Sequence, residues 1–389
     1  MVQIYKIINK NIKNYTLERT IANVSYGYLN LSVNDKIVHY FEELTKKKNI
    51  FYINNLEDCK KYIKDIHQEF IKKKINVIGL DIEGYKIGRY GIVSILQICL
   101  SDVYIFDLYK CDNNYLIIKY IKNLLENEEI IKVLHDCRED CSILYNQYNI
   151  KLNNVFDCQV AYNLFLKKTK KEQYQISYDD LLYKYLFLNN NNKIYFHKCI
   201  SIDPKIYLER PISKELMHYA IQDVLYLKPL MLALVDKLES VSKDISLMEK
   251  KEKSQAGANA EVSAEVSTEA GTNNSLKLNY FKNSIIKDVI NHSKKYINYQ
   301  YLNIFIKNEK ELQKGTIIEG MVVSCNNLNI YVKLNLNKKG VIREFIKNKY
   351  EIGDIIKCVV LGFSGNNYIN LGIYDSCMNE LVSNICKVK

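Results

Sequence analysis

The sequence predicts a mixed α/β unit followed by a small all-β barrel. Three apolar, β-rich runs followed by alternating helical and strand-like segments between residues 75 and 148 indicate a mixed sheet with flanking helices. Composition then changes abruptly after residue 240, which separates two globular units. Five short alternating segments between residues 316 and 373, punctuated by Gly and Asn, read as a barrel.

Taken in order, residues 1–48 carry no pattern beyond Lys and Tyr and read as a basic extension. Residues 50–53 (IFYI) form a short strand, and Asn54 or Asn55 can cap the helix that follows. From Leu56 to Lys73 the apolar residues recur at helical spacing, with Glu57 and Asp58 at the start and Lys72 and Lys73 at the end, as the helix dipole prefers. Strands follow at 75–83, 92–100 and 103–108, then a helix at 115–126, a strand at 130–135 and a helix at 137–148. The span 158–238 is mostly helical, which closes a unit over 49–240.

Residues 241–279 contain no aromatic side chain in a chain with 32 Tyr, and include the near-repeat AEVSAEVSTEA. Such a segment cannot bury enough apolar area to offset chain entropy, so it reads as a disordered linker. A helical connector is expected over 280–312, a barrel over 313–375 and a tail over 376–389.

At 389 residues the chain exceeds one ordinary core, and 48% hydrophobic with 25% charged residues place it among globular proteins. No run approaches ~18 consecutive apolar residues, so no membrane span is expected. The net charge of +11 has two readings, AT-rich coding bias and a polyanionic partner whose phosphates attract Lys and Arg. Eleven cysteines without a C-x-x-C pair suggest free thiols in a reducing, intracellular compartment. Cytoplasm or nucleus fits best, and organelle import stays open because the first residues are basic and acid-free. His135, Cys137 and Cys141 lack the paired spacing of a zinc site.

Three acidic elements stand out. Asp81 and Glu83 are two apart at the end of an apolar strand, so they leave the same face about 7 Å apart. Buried side by side they would repel each other, and a divalent cation is the usual compensation. Asp136 and Asp140 lie four apart where strand 130–135 enters a helix, and either can point at the sheet. Tyr219 and Asp223, again four apart, put a phenol and a carboxylate on one helix face.

The order D-x-E, H-x4-D, Y-x3-D resembles the DEDDy 3′-to-5′ exonucleases of the RNase D type, on the ribonuclease-H-like fold. NVFDCQVAYNL (154–164) resembles the D-T-Q-x-A element of that family, and YLERPISKELMHYAIQDVLYL (207–227) its W-x-x-R-P-L…Y-A-x-x-D-V segment. HDCREDCSILYNQYNIKLNNVFD is similar in particular to the Egalitarian-like branch. The resemblance spans about 50–240. It implies that Asp81, Glu83, Asp140 and Asp223 are metal ligands, with Asp136 the alternative to Asp140, and that Tyr219 orients or deprotonates the attacking water. Hard oxygen donors suit Mg²⁺ or Mn²⁺, and two ions about 4 Å apart would activate water and hold the scissile phosphate. Tyr207 stands where the family often has Trp. Gln97 matches a frequent family glutamine and is read as structural; Arg138 is read as part of a solvated helix face. His197 and Lys198 resemble an H-K element near the substrate cleft.

The span 314–373 resembles the S-one-type RNA-binding OB-fold through its K-G-x-x-x-x-G-x-V opening, the mid-domain G-V-I and Y-x-x-G-D. In that family a groove binds single-stranded RNA by aromatic stacking and a basic contact. The corresponding positions here are Leu328, Tyr331 and Arg343, with Leu328 replacing an aromatic residue. Protein contact is the other use of such a barrel.

Together these features predict a metal-dependent exonuclease releasing nucleoside 5′-monophosphates from the 3′ end of single-stranded nucleic acid, RNA favoured over DNA. The alternatives are an Egalitarian-type RNA adaptor with weak or no activity and a 3′-5′ DNA exonuclease. The linker is expected to raise the local RNA concentration without fixing the orientation of the barrel.

Overall fold

The computed structural model describes residues 48–73, 76–109, 111, 113–188, 193–256, 280–307, 309–326, 328–343, 350–364 and 368–374. Residues 1–47, 257–279 and 375–389, which hold nearly all of the basic extension, much of the expected linker and the tail, lie outside them. No helix among the described residues is long and apolar enough to cross a membrane.

The first unit is a six-stranded mixed sheet covered by helices. Its elements are β1 (Ile50–Ile53), α1 (Leu56–Lys73), β2 (Val77–Tyr85), β3 (Ile92–Cys99), β4 (Val103–Asp107), α2 (Asn114–Leu125), β5 (Ile131–Leu134), α3 (Arg138–Tyr148), β6 (Val155–Asp157) and α4 (Cys158–Lys168). Strand order is β1-β4-β3-β2-β5-β6. The meander β2-β3-β4 is antiparallel, while β1 joins β4 and β5 and β6 extend from β2 in parallel. The central strands are buried nearly throughout, which is why they read as apolar runs rather than alternating ones. β6, three buried residues long, was hidden inside the apolar segment before α4.

Four helices complete the unit: α5 (Tyr178–Leu186), α6 (Lys193–Ile202), α7 (Lys214–Leu225) and α8 (Leu227–Ala256). α8 corrects the expected linker boundary, because its backbone stays helical through residues 241–256. The absence of aromatic residues argues against a core, not against a helix. Lys, Glu, Ser, Leu and Met, which fill most of these positions, sustain helical backbone without needing aromatic residues.

Beyond residue 279 come α9 (Ser284–Ile297), a 3₁₀ turn (Asn298–Tyr301) and a closed barrel. The barrel strands are β7 (Ile317–Cys325), β8 (Ile330–Lys333), β9 (Lys339–Ile342), β10 (Ile355–Phe363) and β11 (Tyr368–Ile373). They close in the order β10-β11-β9-β8-β7, with β9 and β11 parallel.

The barrel is not left free. Ile286, Val289, Ile290 and Tyr296 of α9, and Met321 of β7, belong to the same continuous apolar core as the six-stranded sheet. Arg89, in the loop after β2, donates to the carbonyls of Asn303 (2.6 Å) and Ile304 (2.7 Å), and the Tyr90 hydroxyl donates to Ile306 (2.8 Å). The expectation of an unfixed barrel is therefore overturned. Linker length bounds reach, whereas the apolar stripe of α9 decides where the module docks.

Candidate active site

Asp81 and Glu83 leave β2 on one face, just before a register shift at Glu83/Gly84. A Cβ on Gly84 would lie 2.0 Å from the Ile92 carbonyl, so the bulge that ends the acidic pair requires glycine. Two residues before Asp81, Gly79 lets α7 approach: a Cβ there would stand 2.8 Å from the Val224 carbonyl. α7 is capped by Ser213, whose hydroxyl accepts from the Leu216 N–H. It carries Tyr219 and Asp223 on the face turned to β2, as their i,i+4 spacing requires.

One oxygen from each of Asp81, Glu83 and Asp223 lies within 4.8 Å of the other two. Asp140, on α3 beyond β5, stands outside this group yet close enough that its charge raises the Asp81 carboxyl. Burial is the first cause of that rise, followed by Glu83, Asp140 and Asp223, and it takes Asp81 well above the usual carboxylate range. Asp140 is itself pushed up to about 7, by burial first and then by Asp136. Asp81 Oδ2 is buried with no hydrogen-bond partner among the described residues. An orphaned oxygen among crowded carboxylates is the environment that a hard divalent cation satisfies, so the donor set fits Mg²⁺ or Mn²⁺.

Asp136 is committed elsewhere. It adopts a left-handed backbone (φ 58°) that turns β5 into α3, and its carboxylate is held by Arg138 and by Lys333 at 3.6 Å. Arg138, Lys333 and its hydrogen bonds outweigh burial and keep its carboxyl well below the usual range. Arg138 corrects the solvated-face reading: it is completely buried, because Asp136, Gln175 and the Tyr296 ring enclose the guanidinium. Beneath this turn, Asp157 accepts from the N–H groups of Asp136 (3.1 Å) and Cys137 (2.7 Å) while capping α4.

Tyr219 is buried against Phe196, with ring centroids 5.0 Å apart. Burial, then Asp223 and Glu83, hold its phenol protonated far above neutrality. Tyr207 is buried beside Glu83, which together with burial and Asp223 raises its hydroxyl as well. The segment bearing Tyr207 is pinned by Arg210, which donates to both oxygens of the buried Asp107 at 2.6 Å and to Ser94 Oγ at 2.9 Å. Ser94 in turn donates to the Tyr207 carbonyl, and the Tyr52 hydroxyl donates to Asp107.

Tyr178 was missed by sequence reasoning. It opens α5 after the Ser177 cap, and its buried hydroxyl has no hydrogen-bond partner among the described residues. Burial comes first, and Asp223 and Asp81 are among the charges that raise it, so it borders the carboxylates. Nothing in the spacing of QISYDD signals this, because the proximity is made by packing. Gln97 pairs directly across from Asp81 in the β2–β3 ladder and is fully buried, with neither amide atom hydrogen-bonded among the described residues. Lys198 is exposed on α6, and the side chain of His197 lies outside the described ones.

On the barrel, Leu328 is 70% exposed, Tyr331 meets Tyr368 edge-on at 6.1 Å, and the exposed Arg343 donates to Asn370 at 2.6 Å. Tyr331, Val341 and Asn370 share one row across β8, β9 and β11, which places Tyr331 near the Arg343–Asn370 pair.

Residues 50–239 match a family model described as 3′-5′ exonuclease. The human piRNA biogenesis protein EXD1 is 33% identical over 180 residues, covering 43% of this chain and 34% of that protein. The Egalitarian protein homolog of Caenorhabditis elegans is 30% identical over 139 residues, covering 34% of this chain and 24% of that protein. The chain thus matches about a third or less of the length of these relatives. Among solved structures, Trypanosoma brucei RNase D in complex with RNA U12 aligns with a TM-score of 0.42 at 21% identity, covering 51% of this chain and 66% of that one. Residues 50–239 are therefore similar, across nearly their whole length, to 3′-5′ exonuclease domains.

Proposed function

We propose that this chain hydrolyses phosphodiester bonds stepwise from the 3′ end of single-stranded RNA, releasing nucleoside 5′-monophosphates. The observation that carries this reading is the convergence of Asp81, Glu83 and Asp223 within 4.8 Å around an orphaned, buried Asp81 oxygen. Asp81, Glu83, Asp140 and Asp223 would hold two Mg²⁺ or Mn²⁺ ions. When bound, such ions polarise a phosphate and lower the pKa of bound water. Tyr219, buried on the same helix face as Asp223, would orient or deprotonate the attacking water through its hydroxyl. Tyr207 is buried beside Glu83 and would limit the room around that carboxylate.

Tyr331 and Arg343 on the barrel supply a stacking surface and a cation for a single strand. Retention of all four acids favours an active enzyme over an RNA adaptor, and the barrel favours RNA over DNA. The test is degradation of matched, 5′-labelled RNA and DNA with Mn²⁺ or Mg²⁺ by wild type and Asp81→Ala. A one-nucleotide ladder on RNA that vanishes in the variant is expected. Intact RNA across a range of enzyme concentrations, or activity surviving in Asp81→Ala, contradicts the reading.

A further inference from the structure

The C-terminal module grips the helix that carries Asp140 at one position after another. The Arg138 guanidinium donates to Asp136 at 2.7 Å and to Gln175 at 2.5 Å, and lies over the Tyr296 ring of α9 at 4.5 Å. Gln175 is itself fixed by donating to the Tyr296 hydroxyl at 3.0 Å. Glu139 accepts from the Tyr299 hydroxyl at 3.0 Å and pairs with Lys333 of β8 at 3.1 Å. The Tyr299 hydroxyl in turn accepts from the Asn335 N–H at 2.9 Å. One turn further along, Ser142 donates to the Asn335 side chain, and a turn beyond that Asn146 donates to the Gln300 carbonyl at 3.3 Å. Asp140 sits in the middle of this series.

These contacts have a physical task. Asp136, Glu139 and Asp140 fall within five residues of chain, and Asp157 lies beneath the same turn, accepting from the Asp136 and Cys137 N–H groups. Like charges at such spacing splay apart or seize a cation in the wrong place unless each is tied. Lys333 and Tyr299 tie Glu139, Arg138 and Lys333 tie Asp136, and Asn335 locks both Tyr299 and Ser142. Two of these anchors come from the barrel side of the chain, and Asn335 is itself buried and held by the Gln300 and Leu302 carbonyls.

We infer that Tyr299, Lys333 and Asn335 are positioning residues for Asp140, so that the C-terminal module is a working part of the cation site and not merely a holder of nucleic acid. This rests on the reading of Asp140 as a cation ligand. The module presents Asp140 to the cluster of Asp81, Glu83 and Asp223 by immobilising its neighbours on the helix, as partners behind metal ligands do.

The test is calorimetric titration of the full chain with Mn²⁺ alone, which needs no substrate. Charge-neutral changes are chosen, because removing Lys333 would also change the field at the site. The double variant Tyr299→Phe/Ser142→Ala is expected to bind Mn²⁺ about tenfold more weakly at the site that Asp140→Asn eliminates. Ser142→Ala alone, the milder variant, shifts affinity in the same direction by less. Ile117→Val, at a buried position of α2 that makes none of these contacts, serves as the control that lowers Tm without moving Mn²⁺ affinity. Unchanged affinity in both altered chains, or equal weakening in Ile117→Val, would overturn the positioning role alone. A wild type that takes up no Mn²⁺ would overturn the metal reading along with it.

Discussion

Gly79 on β2 and Val224 on α7 meet backbone to backbone, so closely that a Cβ on Gly79 would stand 2.8 Å from the Val224 carbonyl oxygen. The obstructing atom belongs to a helix and cannot rotate away, so any side chain here must lift α7 from the sheet. Because Asp81 follows Gly79 by two residues and Asp223 precedes Val224, this contact sets the spacing of the first and third acidic elements. Gly79→Ala is expected to cost about 1–3 kcal/mol of stability, as overpacking does, and to weaken divalent binding. Urea unfolding reads the first effect and Mn²⁺ titration the second; an unmoved unfolding midpoint contradicts the argument.

Asp81→Asn should separate stability from chemistry. Burial and the neighbouring acids force the folded, cation-free chain to hold a proton on Asp81 that the unfolded chain gives up, and one oxygen is unpaired, so an uncharged amide relieves the cation-free fold. A gain of about 0.5–2 kcal/mol in EDTA is expected, alongside loss of nuclease activity. A variant less stable than wild type in EDTA would show that Asp81 is stabilised by something other than a cation.

Tyr219→Phe keeps the ring packed on Phe196 and removes only the hydroxyl. If that hydroxyl orients water in the reaction, kcat falls by about 10²-fold while KM and Tm stay near wild type. A rise in KM with kcat intact would instead assign Tyr219 to substrate binding.

Divalent binding should strengthen with pH. Asp81 and Asp140 retain protons in the cation-free fold, Asp140 up to about pH 7, and a cation must displace them. For these raised carboxyls the folded chain binds more protons than the unfolded one between about pH 4 and the folded values, so they cost stability as pH rises through that window. The increase in Tm produced by Mn²⁺ is therefore expected to grow from about pH 6 to about pH 8. A Tm increment independent of pH across that range would contradict the assignment.

Arg210 and Asp107 form a buried pair whose loss should be felt at the site. Burial alone would raise the Asp107 carboxyl, but hydrogen bonds from Arg210 and Tyr52 hold it below the usual range. Its stabilisation is present above the unfolded carboxylate pKa of about 3.9 and is lost as pH falls through the folded value. Arg210→Met leaves that carboxylate buried without its cation, held only by the Tyr52 hydroxyl and the Tyr109 N–H, at about 3–5 kcal/mol, and frees the segment carrying Tyr207. The expected signature is a lowered Tm near neutral pH with a smaller difference from wild type in acid.

Much of this molecule was legible in its sequence, and for physical reasons. Periodicity exposed α1, the central strands and the barrel strands, because burial on one or two faces leaves a pattern in the order of residues. The spacings D-x-E and Y-x3-D placed side chains on common faces before any packing was known, since strand and helix geometry alone decide that. Spacing alone placed Asp140 and Asp136 equally and the resemblance put Asp140 first; the structure adds that Arg138 and Lys333 hold Asp136.

What the sequence by itself determined is the inventory: a mixed α/β unit, a barrel, and the acids fit for a cation. Tertiary structure decided the rest, because contacts between segments far apart in the chain leave no periodic trace. Packing alone brought Tyr178 to the carboxylates, enclosed Arg138 and joined Glu139 to Tyr299 across 160 residues. It also converted a tethered barrel into a docked one, because the apolar face of α9 found its complement against α4 and β6.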